Sequence, residues 1–387
     1  MIGRDGRRRS VVVVGSGTHF LSGISIYSVR LANALVERNR VGLITMRRLI
    51  PARLYPGWKR VGADLTKLDR DQRVAVFDGI DWYWLPSMLR GAWFLLGRRP
   101  DVVIFEWWTG TVLHSYVALA LLARLWRAKV IVEFHEIIAT EELRIAPARR
   151  YVRAVTPIMM RLAHAFAVHS DFDRQLAIDT WSVGNRPLAV LPHGPHDHYQ
   201  SDATRLERLR EAPDETFNLL FFGVIRPYKG LEDLVRAFEA IPEGEIGRYW
   251  LTVVGETWEG WALPSELIAR SPRRDRITLI NRYVTDAELH GYLRGSDAVV
   301  LPYLRSSLSG PLHVAMGYGL PIVMTDVGGN AEAANGYEGI TLVPPGQPMA
   351  LMEAIKRVPA LAGRRFAHPH TWAQTADAYE RLIEQLD

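Results

Sequence analysis

The 387-residue chain contains no cysteine, which excludes disulfide bonds and thiolate metal sites. It also has no long uninterrupted apolar run. Val11–Val14 is too short for the hydrophobic segment of a secretory signal. Val112–Trp126 contains His114 and Arg124 and falls short of the ~20 residues that span a bilayer. We therefore expect a cytoplasmic protein without a membrane-spanning helix.

Charge is unevenly distributed along the sequence. Residues 1–195 contain 28 Lys and Arg against 16 Asp and Glu, a net charge of +12, whereas residues 196–387 contain 19 against 26, a net charge of −7. A basic half beside an acidic half indicates that the first half meets an anionic partner, although general solubility would produce the same distribution. Nucleic acid is not favoured, because no helix-turn-helix, zinc-ligand or recognition-sheet signature accompanies the charge.

Strand-like and helix-like segments alternate along the chain, which is typical of parallel sheets covered by helices. In the first half, the predicted strands are Val11–Val14, Val41–Met46, Val102–Phe105 and Lys129–Phe134, and the predicted helices are Ile24–Arg38 and Val112–Trp126. No clear period is present in Arg47–Pro100. In the second half, the predicted strands are Phe217–Phe222, Tyr249–Val254, Arg276–Ile280, Ala298–Leu301 and Pro321–Thr325, and the predicted helices are Leu231–Ile241, Asp286–Arg294, Leu312–Tyr318 and Thr371–Leu386.

These two series predict an α/β protein with two Rossmann-like domains. We place the N-terminal domain at residues 1–195, the C-terminal domain at residues 196–370, and a C-terminal helix that packs back on the first domain at residues 371–387. Doubly wound parallel sheets bind ligands beyond the carboxyl ends of their strands. Ligand-binding residues are therefore expected in the loops that follow strands.

Two cations follow the predicted strand Phe217–Phe222. Arg226 and Lys229 stand three residues apart between Gly223 and Gly230, where a helix is predicted to begin. Arg offers a planar fork and Lys a point charge, and a helix N-terminus favours anions. The pattern suits a diphosphate, although a solvated basic loop would have the same sequence.

A second anion-binding pattern lies further along the chain. Ser309 is a good helix N-cap, Gly310 permits close approach, and Pro311 suits the first helical turn. The free amides of such a turn bind anions. Gly319 and Pro321 then end the helix and begin a buried strand. Two anion-binding segments in one Rossmann-like domain predict a bound nucleoside diphosphate.

In order and spacing, these segments resemble the family 4 retaining glycosyltransferases of the GT-B fold, over nearly the whole chain. The segments that carry the resemblance are Gly223–Gly230, Ser309–Pro321, Val327–Glu332, Leu342–Gly346 and Leu191–Gly194. The resemblance implies two facing domains around a cleft, and transfer of a sugar from a nucleotide sugar to a hydroxyl acceptor with retention of configuration. It implies no cofactor and no metal, and a role in glycan, glycolipid or cell-envelope polysaccharide biosynthesis.

The resemblance also implies roles for individual residues. The implied donor-binding residues are Gly223, Arg226, Lys229, Ser309, Gly310, Leu312 and Glu332. Arg226 and Lys229 would hold the diphosphate, and amides near Gly310 and Leu312 would approach the distal phosphate or the sugar. A donor phosphate oxygen would help to deprotonate the acceptor, so the protein's task is to stabilise the departing diphosphate. His135 would approach the transferred sugar as a third catalytic residue, although a histidine at a strand end can also satisfy backbone groups.

One departure from the family pattern concerns a pair of carboxylates. The family often has Glu-x7-Glu before Gly319, and those two positions are Ser306 and Val314 here. His313 is a candidate replacement for one contact or simply a helix residue. The missing pair raises two alternatives, a non-catalytic relative that acts as a binding or scaffold subunit and a GT-B sugar epimerase.

Acceptor-side residues are expected in the loops of the first domain. In the family, the loop that contains Gly17 and Gly23 lines the acceptor site, and Glu136 follows the predicted strand that ends at Phe134. Trp107 and Trp108 either stack on a sugar or lipid chain or close a core between helices.

A metal site is not expected in the first domain. Glu133, Glu136, Glu141 and Glu142 surround His135, but His-Glu-x-x-His is absent and no second imidazole follows.

Two segments of the first half mix aromatic, aliphatic and basic residues. Tyr55–Arg60 and Met88–Arg99 suit a surface that lies on an anionic membrane, where enzymes with lipid-linked acceptors work. Packed helices with solvated arginines would have the same composition. The run Arg7–Arg9 is typical of a solvated, disordered arm.

Overall fold

The computed structural model describes residues 8–17, 23–48, 69–81, 85–137, 146–196, 208–257, 261–306 and 309–387. The chain forms two compact units. The first unit comprises residues 1–194 together with 370–387, and the second comprises residues 195–369. The C-terminal segment therefore belongs to the first unit.

The strands that the structure describes are all parallel to their neighbours. Those of the first unit are β1 (Ser10–Ser16), β2 (Arg40–Arg48), β3 (Ala75–Asp81), β4 (Val102–Trp107), β5 (Lys129–Phe134), β6 (Ala165–Val168) and β7 (Leu188–Val190). Those of the second unit are β8 (Phe217–Phe222), β9 (Tyr249–Val254), β10 (Ile277–Ile280), β11 (Ala298–Leu301), β12 (Ile322–Thr325) and β13 (Ile340–Val343).

Helices connect these strands. In the first unit they are α1 (Gly23–Leu35), α2 (Leu85–Arg98), α3 (Leu113–Leu125), α4 (Ala146–Leu162) and α5 (Asp171–Thr180). The second unit contains α6 (Leu231–Glu239), α7 (Glu243–Ile246), α8 (Leu263–Arg270), α9 (Asp286–Gly295), α10 (Gly310–Gly317), α11 (Asn330–Ala333) and α12 (Pro348–Arg357), and α13 (Trp372–Glu384) returns to the first unit. Thr371 and Gln374 form a capping box that begins α13.

Both sheets have the same doubly wound order. The first sheet runs β3-β2-β1-β4-β5-β6-β7 and the second β10-β9-β8-β11-β12-β13. The strand order reverses between β1 and β4, which pair from Val11↔Val102 onward, and between β8 and β11, which pair at Ala298↔Leu219. The crevice of a doubly wound sheet lies beyond the carboxyl ends of the strands at this reversal. Each unit therefore has one such switch point.

Strand β1 of the first sheet is buried on both faces. Val11 and Val13 of β1 pack with α1 and α13, whereas Val12 and Val14 pack with α2, α3 and α4 on the opposite face. A strand that is buried on both faces has a nearly continuous apolar sequence. This is why the valine run correctly predicted a strand.

The first half contains elements that the sequence period did not predict. Arg47–Pro100, where no element was assigned, contains β3 and α2. The predicted helix Ile24–Arg38 ends earlier, at Leu35. The expectation of a solvated Arg7–Arg9 arm is wrong at Arg9, which is 5% exposed and forms ion pairs with Glu380 of α13 and with Asp387. Arg7 lies outside the described residues.

Candidate functional site

The loop between Gly223 and Gly230 lies beyond β8, at the switch point of the second sheet. Both glycines have positive φ angles, 101° and 65°, which other residues adopt only with strain. A side chain at Gly230 would place its Cβ 1.9 Å from the carbonyl oxygen of Pro302, which follows β11. The Leu304 amide donates to the Tyr228 carbonyl at 2.8 Å. The two loops at the switch point are therefore held against each other.

Lys229 is buried at the end of this loop. The residue is 7% exposed, and its Nζ donates a 2.8 Å hydrogen bond to the Tyr303 hydroxyl. That hydroxyl accepts a second hydrogen bond from Ser309 Oγ at 3.4 Å. Within the described residues Tyr303 is the only hydrogen-bond partner of the ammonium, which has three N–H bonds. Two donors of Lys229 therefore remain for another acceptor.

The electrostatics around Lys229 favour an anion. Burial, together with the charge of nearby Arg226, lowers the pKa of Lys229 to about 8. Arg226 precedes the 3-10 turn Pro227–Lys229 and is half-buried. Burial disfavours a charge unless an opposite charge compensates it. A perturbed cation beside a second cation at a switch point is typical of an anion-binding site.

The start of α10 adjoins this cation. Ser309 is the N-cap, and its Oγ accepts a hydrogen bond from the Leu312 amide at 3.2 Å. Pro311 has no N–H to donate. The Gly310 N–H, also in the first turn, has no acceptor in the described part of the chain. A Cβ on Gly223 would lie 3.5 Å from Pro311 Cγ. The loop and the helix start are therefore in contact, and Gly310 is the amide left for a ligand.

The other sequence-based candidates of the second unit differ in their exposure to solvent. Leu312 is buried and Glu332 is exposed on the short helix α11. His313 is fully buried, with its ring centre 6.0 Å from that of His196 and 5.8 Å from that of His368. These placements leave the predicted roles of Leu312 and Glu332 as predictions.

Asn330 is a polar residue that the sequence reasoning did not single out. It begins α11 in the loop after β12 and is fully buried. Neither its Oδ1 nor its Nδ2 has a hydrogen-bond partner among the described residues. A buried amide without partners costs stability, so Asn330 is a candidate ligand contact. Its position in the loop that follows a strand was the available signal.

A pair of buried glutamates lies in the first sheet. Glu106 and Glu133 are cross-strand neighbours in β4 and β5, and both are fully buried. Burial raises the pKa of Glu106 well above its usual value, and the charge of Glu133 adds to this effect. Burial also raises the pKa of Glu133, but the charge of neighbouring His135 and the hydrogen bond from Tyr27 outweigh it and hold the pKa low. Glu106 is therefore the carboxyl of the pair that keeps its proton to the higher pH.

Tyrosine and histidine rings surround Glu133. The Tyr27 hydroxyl donates to Glu133 Oε1 at 2.5 Å. His135 Nε2 lies 3.6 Å from Glu133 Oε2, and His169 Nε2 lies 3.5 Å from Oε1. Burial lowers the pKa of His169 to about 4, so this imidazole is neutral at pH 7. Rings of His135, His169 and His193 lie 4.6 Å, 5.3 Å and 4.9 Å from the Tyr27 ring, centre to centre.

Three of these residues have the composition of a metal site. Glu133, His135 and His169 each offer a ligand atom, and these atoms lie within 4.8 Å of one another. Both Nε2 atoms and Glu133 Oε2 lack hydrogen-bond partners among the residues that the structure describes. Two imidazoles and a carboxylate suit zinc or iron(II). The second imidazole, that of His169, follows β6. It is far from His135 in sequence, so a local spacing motif does not detect the pair. The expectation of no metal therefore stays a prediction.

The two tryptophans among the acceptor-side candidates lie in the core of the first unit. Trp107 is 2% exposed and Trp108 is 8% exposed. Trp107 packs against Phe134 and Trp108 against Tyr116, with ring centres 5.9 Å and 6.2 Å apart. This burial favours the core interpretation over stacking on an acceptor.

The remaining first-unit candidates lie near strand ends. A Cβ on Gly17 would lie 2.7 Å from the Met46 carbonyl oxygen, so this glycine permits close backbone approach. Gly23 begins α1, and Glu136 is half-buried after β5. Glu141, Glu142 and the segment Tyr55–Arg60 lie outside the described residues.

Two family models match the chain. One, described as glycosyl transferases group 1, matches residues 216–360. The other, described as a glycosyl transferase 4-like domain, matches residues 22–194. Between them they span most of both units.

Curated relatives and solved structures agree with these matches. The chain is 28% identical to a glycogen synthase of Mycobacterium tuberculosis over 69% of this chain and 63% of that protein. It is 29% identical to a GDP-mannose:glycolipid 4-beta-D-mannosyltransferase of Xanthomonas campestris pv. campestris over 46% of this chain and 53% of that protein. The chain thus spans less than two thirds of the length of these relatives. The Anabaena protein HepE, solved in complex with UDP, has a TM-score of 0.61 at 15% identity and covers 98% of this chain and 96% of its own.

Proposed function

Because the chain belongs to the group 1 glycosyltransferases and has the GT-B fold, we propose that it transfers a sugar from a nucleoside-diphosphate donor to a hydroxyl acceptor with retention of configuration. The observation that carries the proposal is the buried Lys229 ammonium, joined through Tyr303 to the cap of α10. A diphosphate supplies the negative charge that this buried cation lacks. HepE was solved with UDP, which supports a nucleoside diphosphate as the ligand class.

In this proposal the second unit stabilises the leaving group. Arg226 and Lys229 bind the diphosphate, and the Gly310 amide donates to its distal phosphate. As the bond between the anomeric carbon and the diphosphate oxygen breaks, negative charge grows on that oxygen, and these preorganised donors stabilise it. A phosphate oxygen of the donor accepts the proton of the hydroxyl that attacks on the same face. The sugar then keeps its configuration, and no carboxylate nucleophile is required.

Neither a cofactor nor a metal takes part in the proposed reaction. Two cationic side chains perform the neutralisation that Mg²⁺ performs in other transferases. His135 remains a predicted sugar contact on the basis of the resemblance alone, since its side chain is 3% exposed and lies beside Glu133. We propose a glycolipid or lipid-linked glycan as the acceptor, in keeping with the glycolipid acceptor in the name of the Xanthomonas relative.

Calorimetric titration with UDP-, GDP- and dTDP-sugars tests the donor site. Loss of one charge-assisted hydrogen bond costs about 1.5–3 kcal/mol, so Arg226→Ala and Lys229→Ala are expected to weaken donor binding roughly 10–100-fold. Arg236→Ala is the matched control, because Arg236 lies on α6 with a side chain that is 59% exposed and paired with Asp233. The proposal fails if no donor binds, or if all three variants bind alike.

A non-catalytic role is the second candidate function. It is favoured by the absence of the family's carboxylate pair at Ser306 and Val314, and Val314 is buried in the core of the second unit. Such a protein would bind a nucleotide sugar without turnover in the presence of crude lipid or glycan acceptors. An epimerase would instead isomerise the donor without an acceptor. Product mass spectrometry, with NMR assignment of the new linkage, separates these outcomes from retaining transfer.

A further inference from the structure

Three neighbouring helices of the first unit share one outer surface. α3 packs against both α2 and α4, and all three bury their inner sides in the same core. We define the three-helix face as the solvent-exposed side of α2, α3 and α4, together with Trp126 and Arg127 at the end of α3.

Large apolar side chains point outward from this face. On α2, Leu85, Leu89 and Trp93 are 69%, 55% and 76% exposed. They stand four residues apart and therefore line one side of the helix. The other exposed apolar residues of the face are Leu121, Leu125, Trp126 and Ile158. Clustered apolar exposure of this kind marks an interaction surface rather than ordinary scatter.

The charge of the three-helix face has a single sign. None of the described residues of α2, α3 and α4 is Asp or Glu. The arginines of these helices are Arg90, Arg98, Arg124, Arg149, Arg150, Arg153 and Arg161. The next helix of the same sheet face, α5, contains Asp171, Asp173 and Asp179, so the uniformly positive surface ends there. Helices without a single acidic residue thus present arginines beside exposed Leu and Trp.

These features select an anionic lipid surface as the partner. Indole rings favour the interface between headgroups and acyl chains. Arginine side chains extend their charged ends toward the headgroups while their stems cover apolar surface. A second copy docked through the same face would bring arginines against arginines, because a two-fold interface pairs each surface with itself.

We propose that the three-helix face docks on the surface of an anionic bilayer, with Leu89 and Trp93 among the headgroups. Among the described residues, no helix is long and apolar enough to cross a membrane, so the attachment is to the surface. The inference does not depend on the proposed reaction, because vesicle binding is measured without donor or acceptor.

Co-sedimentation of the full chain with vesicles tests this inference. Vesicles of phosphatidylglycerol mixed with phosphatidylcholine are compared with pure phosphatidylcholine at low and high salt. The wild-type chain is expected to bind the anionic vesicles, to bind phosphatidylcholine weakly, and to dissociate as salt screens the charge.

Matched variants separate this face from general basicity. Leu89→Asp is expected to abolish binding, whereas Ile178→Asp on α5 keeps it, and the two side chains are 55% and 50% exposed. An arginine close to an anionic surface favours binding about five-fold, so Arg150→Gln with Arg153→Gln is expected to weaken binding roughly 25-fold. Arg174→Gln with Arg381→Gln, outside the face, controls for the change in net charge.

Three results would overturn the inference. The first is a wild-type chain that stays in solution with anionic vesicles at low salt. The second is equal loss of binding in the face variants and in their controls. The third is a wild-type dimer that Leu89→Asp converts to a monomer in light scattering, since this would assign the face to a second copy.

Discussion

Replacing Lys229 with methionine is expected to stabilise the protein while it weakens donor binding. The pKa of Lys229 falls from 10.5 to about 8, which corresponds to a cost of ~3 kcal/mol for keeping the buried amine charged at neutral pH. Methionine removes this cost but also loses the hydrogen bond to Tyr303, which contributes about 1 kcal/mol. The net expectation at pH 7 is a gain of ~2 kcal/mol, or a rise of roughly 5 °C in the Tm of the second unit.

The pH dependence gives a second, independent readout. The pKa of Lys229 is lower in the folded protein than in the unfolded chain, so the unfolded chain binds more protons between pH 8 and 10.5. Wild-type stability therefore rises with pH across this window. The advantage of Lys229→Met is expected to be full below pH 8 and to shrink as the pH rises toward 10.5. Thermal unfolding followed by circular dichroism from pH 7 to pH 10 measures it, with donor binding followed by calorimetry.

Lys356→Met provides the matched control in the same unit. Lys356 lies on α12, and its side chain is 24% exposed. Its Nζ lies 3.2 Å from Glu245 Oε1. Its replacement is not expected to raise Tm or to change donor binding. A lower Tm for Lys229→Met at pH 7, together with unchanged donor affinity, would refute the reasoning, because Lys229 would then be a structural residue without a ligand.

Three further predictions concern the buried polar residues and the metal question. Asn330→Leu is expected to raise stability by about 1–2 kcal/mol in chemical denaturation, since it removes an amide without partners, and to weaken donor binding in calorimetry. Glu106→Gln is expected to change stability at pH 7 by less than about 1 kcal/mol because burial already favours the protonated form of Glu106, whereas Glu133→Gln costs about 3 kcal/mol by removing the carboxylate that pairs with Tyr27 and His135. Transfer activity is expected to survive EDTA, and elemental analysis of the purified protein shows whether Glu133, His135 and His169 hold zinc or iron.

Much of the second unit could be predicted because its strands are buried on both faces. Phe217–Phe222, Tyr249–Val254 and Ala298–Leu301 were predicted with the bounds that the structure has. In a parallel sheet covered by helices, such strands have continuous apolar sequences bounded by polar turns. The pattern is local, so it is visible without knowledge of the tertiary structure.

The elements that were not predicted have weaker local patterns. β3 is an edge strand with the sequence AVFDGID and is mostly half-exposed, so neither an apolar run nor a strict alternation marks it. α4 is helical from Ala146 to Leu162 although Pro157 lies inside it, and proline usually indicates a helix end. In both cases tertiary packing outweighs the local preference.

The residues of the candidate site also differ in whether a local sequence pattern reveals them. Arg226, Lys229 and the Ser309 cap could be found because their chemistry lies in short segments of recognisable spacing. Tyr303 could not, since its role depends on the contact between the loops after β8 and β11. The two glutamates give a faint signal, a single acidic residue near the end of an otherwise apolar buried strand. Their opposite pKa shifts depend in part on Tyr27, which is distant from both glutamates in sequence.

The charges at the two switch points support our proposal that the donor binds to the second unit. Both sheets reverse their strand order at equivalent strands, so topology alone gives each unit one ligand crevice. Near the reversal in the first unit lies the ionised carboxylate of Glu133, next to the buried Glu106, and a phosphate placed there would meet a like charge in a low-dielectric environment. At the reversal in the second unit lies the buried ammonium of Lys229, with Arg226 close to it. Topology therefore offers two equivalent crevices, and the sign of the buried charge is the reason for which we propose the second as the diphosphate site.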